Sequence, residues 1–310
     1  MPNWNQVLRE ISATALRHHG NARSAQDIIR HKYLLKLHKY TGRNLIAYYS
    51  GFLSKNVSGV EIIDEDKNGL MMAVHQLDKS KGLDLFLHTP GGSIAAAETI
   101  VDYLKRIFGK DIRAIVPQIA MSAGTMIACS CREIWMGKHS NLGPIDPQLN
   151  GVPAAGVTAE FERAYREIVA DPDRVKLWQF IIRQYPPSFL SQCENAIEWA
   201  RSFVRSELEA NMFSADPQRS LKAASVVDTL TDFSGNKAHD RHIHFDECQQ
   251  IGLNIKSIES DKTFQDLVLT VHHCYMHSLM NTQAFKIVEN HLGVAFVKQQ
   301  QMVQVVQPAP

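Results

Sequence analysis

Leu87-His88-Thr89-Pro90-Gly91-Gly92-Ser93 follows an apolar run and opens a periodic helical stretch. About thirty residues later, Ile119-Ala120-Met121-Ser122-Ala123-Gly124-Thr125 does the same. In the first loop, proline fixes one dihedral and the paired glycines open backbone conformations closed to other residues. The loop then enters a helix N-terminus, where free N–H groups point outward and favour negative charge. Such a loop can bind a phosphate or stabilise the oxyanion of an acyl transfer. Alone, a Pro-Gly-Gly turn is also an ordinary tight turn. In the second loop a serine sits among small residues between strand and helix, the setting of a nucleophile elbow. Alone, a serine there also reads as a helix N-cap. Together, the two loops let the N–H groups of Gly92 and Ala123 face one point beside Ser122.

Outward from these loops, short apolar runs alternate with helical stretches. Asn44 to Tyr49 and Leu83 to His88 read as buried strands, residues 66–78 as a helix, and residues 94–108 as a helix closed by Gly109. Ile112 to Val116 is a further strand, 123–130 a helix, and Glu133 to Met136 a short strand. This alternation predicts an α/β core with mostly parallel pairing and right-handed crossovers. Before it, Val7, Ile11 and Ala15, then Ile28, Ile29, Leu34 and Leu35, lie at helix spacing, with Gly20 and Asn21 between the two helices. After Leu149, residues 159–213 carry helical periodicity interrupted near Tyr185-Pro186-Pro187, and 217–230 add a helix. A Gly-containing segment, Ser234 to Asp240, precedes a helix at 246–251. Residues 261–292 read as helical, and Gln299 to Pro310 as a low-complexity tail.

The chain has 310 residues, 45% of them hydrophobic, enough for one large domain or two smaller ones. Its 33 Lys and Arg against 32 Asp and Glu leave a net charge of +1, so no global field favours nucleic acid or an anionic membrane. Five cysteines, an odd number in a long chain, argue against a disulfide framework and for a reducing compartment. The N-terminus lacks an apolar signal core, and the charge-poor runs at 114–131 and 267–285 are too polar or too broken to span a bilayer. A cytoplasmic protein without a membrane span is expected.

HTPGGSIAAAE followed by AMSAGTMIA resembles the Clp-protease/crotonase superfamily, and within it the serine dehydrogenase proteinase family. The resemblance runs from about Asn44 to Ile255 and takes in Asn141 to Gln148 and Ala238-His239-Asp240. It implies a ClpP/crotonase-like spiral of β-β-α units, with a helical insertion at about 159–232 and helical terminal arms. The implied organisation is a helical arm over 1–40, a catalytic domain over 41–258, and C-terminal helices with a disordered tail over 259–310. It further implies that Ser122 is the nucleophile and that Gly92 and Ala123 supply the oxyanion N–H groups, with Gly91 shaping the turn. In the Clp proteolytic subunit the base histidine falls at the position of Asp146 and the triad aspartate at that of Asp240, beside His239. The resembling family carries Ser, Asp and His in that chain order, which makes His239 the base and Asp146 its orienting partner. A triad is defined by geometry and role, so this exchange is chemically sound.

The residues themselves leave alternatives open. Asp146, in Gly-Pro-Ile-Asp-Pro, also reads as a turn-stabilising side chain. His239 competes with His242, His244 and His139 among the chain's 14 histidines. Lys138 reads as a solvated loop lysine rather than the base of a Ser–Lys dyad. His272, His273, Cys274 and His277 have helical spacing that could ligate zinc, without a carboxylate companion. No P-loop or Gly-x-Gly-x-x-Gly fingerprint is present, and no cofactor or metal is expected. The leading expectation is a serine peptidase acting on peptide or unfolded protein as a homo-oligomer. The alternatives are a crotonase-like acyl-CoA enzyme, for which no CoA-binding basic cluster is visible, and an inactive Clp-fold scaffold.

Overall fold

The computed structural model describes residues 4–17, 24–232 and 239–300. Gly20 and Asn21, the segment Ser234 to Ala238 and the tail from Gln301 lie outside the described residues. Helices α1 (Trp4–Arg17) and α2 (Ala25–Thr41) come first, α2 opened by a capping box between Ser24 and Asp27 and closed by Gly42 in the left-handed region. Then follow β1 (Asn44–Ser50), α3 (Asp66–Val74), β2 (Leu83–His88), α4 (Ile94–Phe108), β3 (Ile112–Val116), β4 (Ile119–Ala120), α5 (Ala123–Cys129) and β5 (Glu133–Met136). Short pairs β6 (Asn141–Leu142), β7 (Gln148–Leu149) and β8 (Val152–Pro153) lead into α6 (Ala154–Ala170), α7 (Val175–Ile182), α8 (Phe189–Ala210) and α9 (Arg219–Thr231). The chain continues with β9 (Ile243–His244), α10 (Phe245–Ile251), β10 (Ile255–Ser257), α11 (Lys262–Asn281), β11 (Ala284–Asn290) and β12 (Ala295–Gln299).

Seven of these strands form one sheet in the order β10-β5-β3-β2-β1-β11-β12. Its first five strands are parallel, β11 adds antiparallel to β1, and β12 adds antiparallel to β11. Both faces are covered. In β1, Ile46 and Tyr48 enter a core shared with α3, α4, α5, α8 and α9, whereas Leu45, Ala47 and Tyr49 enter one shared with α1, α2 and α11. A strand buried on both faces reads as a mostly apolar run, which is why β1, and β2 despite Asp84, are plain in the sequence. The architecture is a mixed α/β, ClpP/crotonase-like fold. Among the described residues no helix is long and apolar enough to cross a membrane.

The C-terminal segment corrects the sequence reading. Residues 261–292 are not one helical stretch, and 259–310 is not helices and tail alone: α11 ends at Asn281, and β11 and β12 enter the main sheet. Every residue of β11 is buried, including Lys286 and Glu289. Their charges, each paired inside the fold, hide the strand from a reading based on hydrophobic pattern. Gln299 ends β12, and Gln300 donates its N–H to the carbonyl of Gln283 at 3.0 Å, so the first residues of the expected tail belong to the sheet edge.

Candidate active site

Two parallel bridges hold the glycine loop after β2. On one side, Thr89 pairs with Ala120 of β4: the Thr89 N–H donates to the Ile119 carbonyl and the Met121 N–H to the Thr89 carbonyl, both at 3.1 Å. This pairing fastens the glycine loop to the serine loop. Gly124 has room only for hydrogen there, since a Cβ would lie 2.5 Å from Thr89 Cγ2. On the other side, the Ile62 N–H donates to the Gly91 carbonyl at 2.7 Å and the Ser93 N–H to the Ile62 carbonyl at 2.9 Å. All peptide bonds described are trans, so the Gly92 N–H points opposite to the Gly91 carbonyl, away from Ile62. The residues around Ile62 had no assignment from sequence, because a turn-rich stretch carries no periodicity to read.

Ser122 precedes α5 with φ 49° and ψ −115°, a backbone conformation rare outside glycine. Its side chain makes no capping hydrogen bond, so the N-cap reading does not account for it. Strain of this kind costs about 1–3 kcal/mol and persists only where the surroundings enforce it. Here they do: a Cβ on Gly91 would lie 2.7 Å from both Ser122 Cβ and the Met121 carbonyl oxygen, so the two loops touch through main chain. Gly91 itself has φ +97°, which a glycine adopts freely. The Ala123 N–H begins α5 and, like that of Gly92, has no acceptor among the described residues.

Thr125 carries the arrangement to the third segment. Its Oγ1 lies 2.9 Å from the carbonyls of Ala120 and Gly143 and accepts the Gly143 N–H at 3.0 Å. The Ile145 N–H donates to the Leu230 carbonyl at 3.0 Å, so α9 also fixes this loop. Asp146 is thereby held with only 4% of its surface exposed. Its Oδ1 lies 2.7 Å from His239 Nδ1, across 93 residues of chain. Asp146 Oδ2 is buried with no hydrogen-bond partner among the described residues. Since a carboxylate only accepts, Nδ1 carries the proton of the neutral ring and Nε2 keeps its lone pair.

Gly91, Gly92, Ser122 and His239 line a single cleft of about 590 Å³. Met126, Ile145, Leu149 and Trp199 make its apolar walls. Trp199, on α8, donates Nε1–H to Glu98 of α4 at 2.9 Å, which brings the helical insertion to the cleft rim. Helical periodicity placed Trp199 on a helix but offered no signal that it meets the glycine loop. His139, His242, His244 and Lys138 are exposed and do not line the cleft, and the Lys138 N–H donates instead to Glu259. His272 Nδ1 meets the Tyr49 hydroxyl at 3.3 Å and His277 Nε2 the Trp4 carbonyl at 3.2 Å. Among the described residues no three His, Cys, Asp or Glu side chains are grouped to hold a metal. The cysteines are free and buried, and burial pushes the Cys131 and Cys248 thiols up to about 12, far from a reactive thiolate.

The sequence profile of the family described as ClpP-like SDH-type serine proteinase matches residues 24–283. An uncharacterised protein of Methanocaldococcus jannaschii is 30% identical over 191 residues, 62% of this chain and 59% of that protein. A second from the same organism is 28% identical over 205 residues, 66% of this chain and 62% of that one. The chain thus spans about three fifths of the length of these curated relatives. Two structures of the 1510-N membrane-bound stomatin-specific protease, one in complex with a substrate peptide, are 15% and 16% identical at a TM-score of 0.37. They cover 63% of this chain and 74% and 70% of theirs. An enoyl-CoA hydratase from Mycobacterium avium subsp. paratuberculosis is 12% identical, covering 53% of this chain and 83% of its own, at a TM-score of 0.21. The profile match extends over most of the chain and includes both loops, and the chain belongs to the ClpP-like SDH-type serine proteinases.

Proposed function

We propose that the protein is a serine peptidase whose nucleophile is Ser122, with His239 as general base and Asp146 as the residue that orients it. The observation that carries this reading is the 2.7 Å contact between His239 Nδ1 and Asp146 in the cleft that Ser122 and Gly92 also line. Serine is a weak nucleophile until a base removes its proton. His239, with its Nδ1 proton held by Asp146, offers Nε2 for that purpose. Ser122 Oγ attacks the scissile carbonyl carbon while Nε2 takes the hydroxyl proton. The tetrahedral oxyanion is held by the N–H groups of Gly92 and Ala123. Collapse breaks the C–N bond, and the leaving amine takes its proton from Nε2. Water then repeats the sequence on the acyl-enzyme, restoring Ser122. The buried Asp146 carboxylate stabilises the imidazolium that forms in each half-reaction.

The substrate is a peptide or an unfolded protein segment, bound extended beside the glycine loop. The protein works as a homo-oligomer. The test is labelling by a fluorophosphonate, compared in wild type, Ser122→Ala, His239→Ala and His242→Ala. Labelling lost in the first two variants and kept in the third is the expected result. A folded, oligomeric wild type that never labels would overturn the reading in favour of a scaffold, or of acyl-CoA chemistry at the same N–H pair.

A further inference from the structure

The catalytic reading makes no use of a fully buried lysine. Lys286 of β11 and Asp66, the first residue of α3, both have no exposed side-chain surface. Desolvating such a pair costs more than its attraction returns unless further hydrogen bonds complete the geometry. Lys286 Nζ donates to both Asp66 carboxylate oxygens at 2.8 Å and to the Glu61 carbonyl at 2.6 Å. Asp66 Oδ2 also accepts the Ile63 N–H at 3.0 Å and the Tyr48 hydroxyl at 2.7 Å. One buried cluster therefore grips the main chain on both sides of Ile62. Ile62 is the residue whose N–H and carbonyl bind Gly91 and Ser93.

We propose that Lys286, with Asp66, is a positioning residue: it holds Glu61 to Ile63 as a rigid template that aims the Gly92 N–H into the cleft. The glycines have little stiffness of their own, because both sit at positive φ with no side chain to pack. The stretch from Gly51 to Glu65 between β1 and α3 contains no regular element to supply rigidity. It has to come from outside, and Lys286 reaches Glu61 from 225 residues along the chain. The catalytic consequence rests on the peptidase reading, whereas the mechanical link does not.

The test is the double variant Asp66→Asn/Lys286→Met. Asparagine keeps an acceptor for Ile63 and Tyr48, methionine replaces most of the lysine volume, and no charge is left buried alone. Hydrogen exchange of amides 61–66 and 91–95 should speed up by about tenfold or more, with amides 112–116 of β3 unchanged. Fluorophosphonate labelling and kcat should fall by roughly 10²-fold, the scale of one lost oxyanion donor, while KM moves less than about threefold. Lys298→Met, on the neighbouring strand β12, removes the partner of the half-exposed Glu65 and should change neither readout. Unchanged exchange at both segments, labelling at the wild-type rate, or exchange raised equally in β3 would each overturn the proposal. If the double variant does not fold, Tyr48→Phe, which removes one donor to Asp66, reads the same amides by the same criteria. A wild type that does not label counts against the peptidase reading alone, because the exchange comparison still decides the link.

Discussion

Substituting Gly92 by alanine is the sharpest perturbation of the proposed oxyanion site. A Cβ there would lie 2.4 Å from both the N and the O of Ile62 and 2.9 Å from its Cα, all main-chain atoms. Ordinary contact begins near 3.4 Å, so one side must retreat by about 1 Å. Ile62 is fully buried and its neighbours are gripped by Lys286 and Asp66, so the displacement falls on the glycine loop. A shift of this size costs about 10²-fold in rate, and loss of one oxyanion donor about 10²–10³-fold, or roughly 3–4 kcal/mol of transition-state stabilisation. The assay is the second-order rate of fluorophosphonate labelling, with kcat/KM for an unstructured peptide alongside and thermal unfolding as the fold control. Gly109→Ala is the companion: it also sits at positive φ, +60°, but in open space, so it should lower stability by about 1–3 kcal/mol and leave labelling alone. Labelling of folded Gly92→Ala within about threefold of wild type would refute the reasoning.

Two further outcomes follow from buried polar groups. Asp146→Asn permits the wrong imidazole tautomer, and kcat should fall by about 10³–10⁴-fold with KM little changed; a loss under about tenfold means that Asp146 only shapes its turn. His88, at the end of β2, is fully buried with both ring nitrogens unpartnered among the described residues, and burial pushes its pKa down to about 3 from the ordinary 6.5. Below pH 6.5 the unfolded chain therefore binds a proton that the folded chain refuses, so stability falls as pH falls and is unaffected above that value. The cost at pH 5 is about 2 kcal/mol. His88→Phe, placed beside Phe52 and Tyr49, should remove that part of the loss between pH 7 and pH 5 in urea unfolding, and equal losses in both proteins would count against it.

How much of this was legible beforehand depended on whether a signal is local. The helix of residues 94–108 and the strands after Asn44 and Leu83 are visible because period and run length are properties of neighbouring residues. The glycine and serine loops are visible for the same reason: a Pro-Gly-Gly turn or a serine among small residues constrains its own backbone. β11 was misread, since the partners that neutralise Lys286 and Glu289 lie at Asp66 and Arg30, on the far side of the sequence. The contribution of Trp199 to the cleft was invisible, because an aromatic on a helix looks the same whether it faces solvent, core or site.

By itself the sequence determined that an α/β core carries two N–H-presenting loops, and it narrowed the candidate base to a few histidines. Only the tertiary structure decided which of those imidazoles meets a carboxylate. His239 lies against Asp146, whereas His242 and His244, three and five residues later in the chain, are exposed. Composition cannot separate three histidines in one short segment. A hydrogen bond spanning 93 residues can, because its geometry depends on where β4, α5 and α9 place the two ends. The same holds for Gly92: its backbone freedom is written in its residue type, but its neighbours Gly91 and Ser93 are bonded to Ile62, and the Glu61 carbonyl just before Ile62 accepts from a lysine near the other end of the chain.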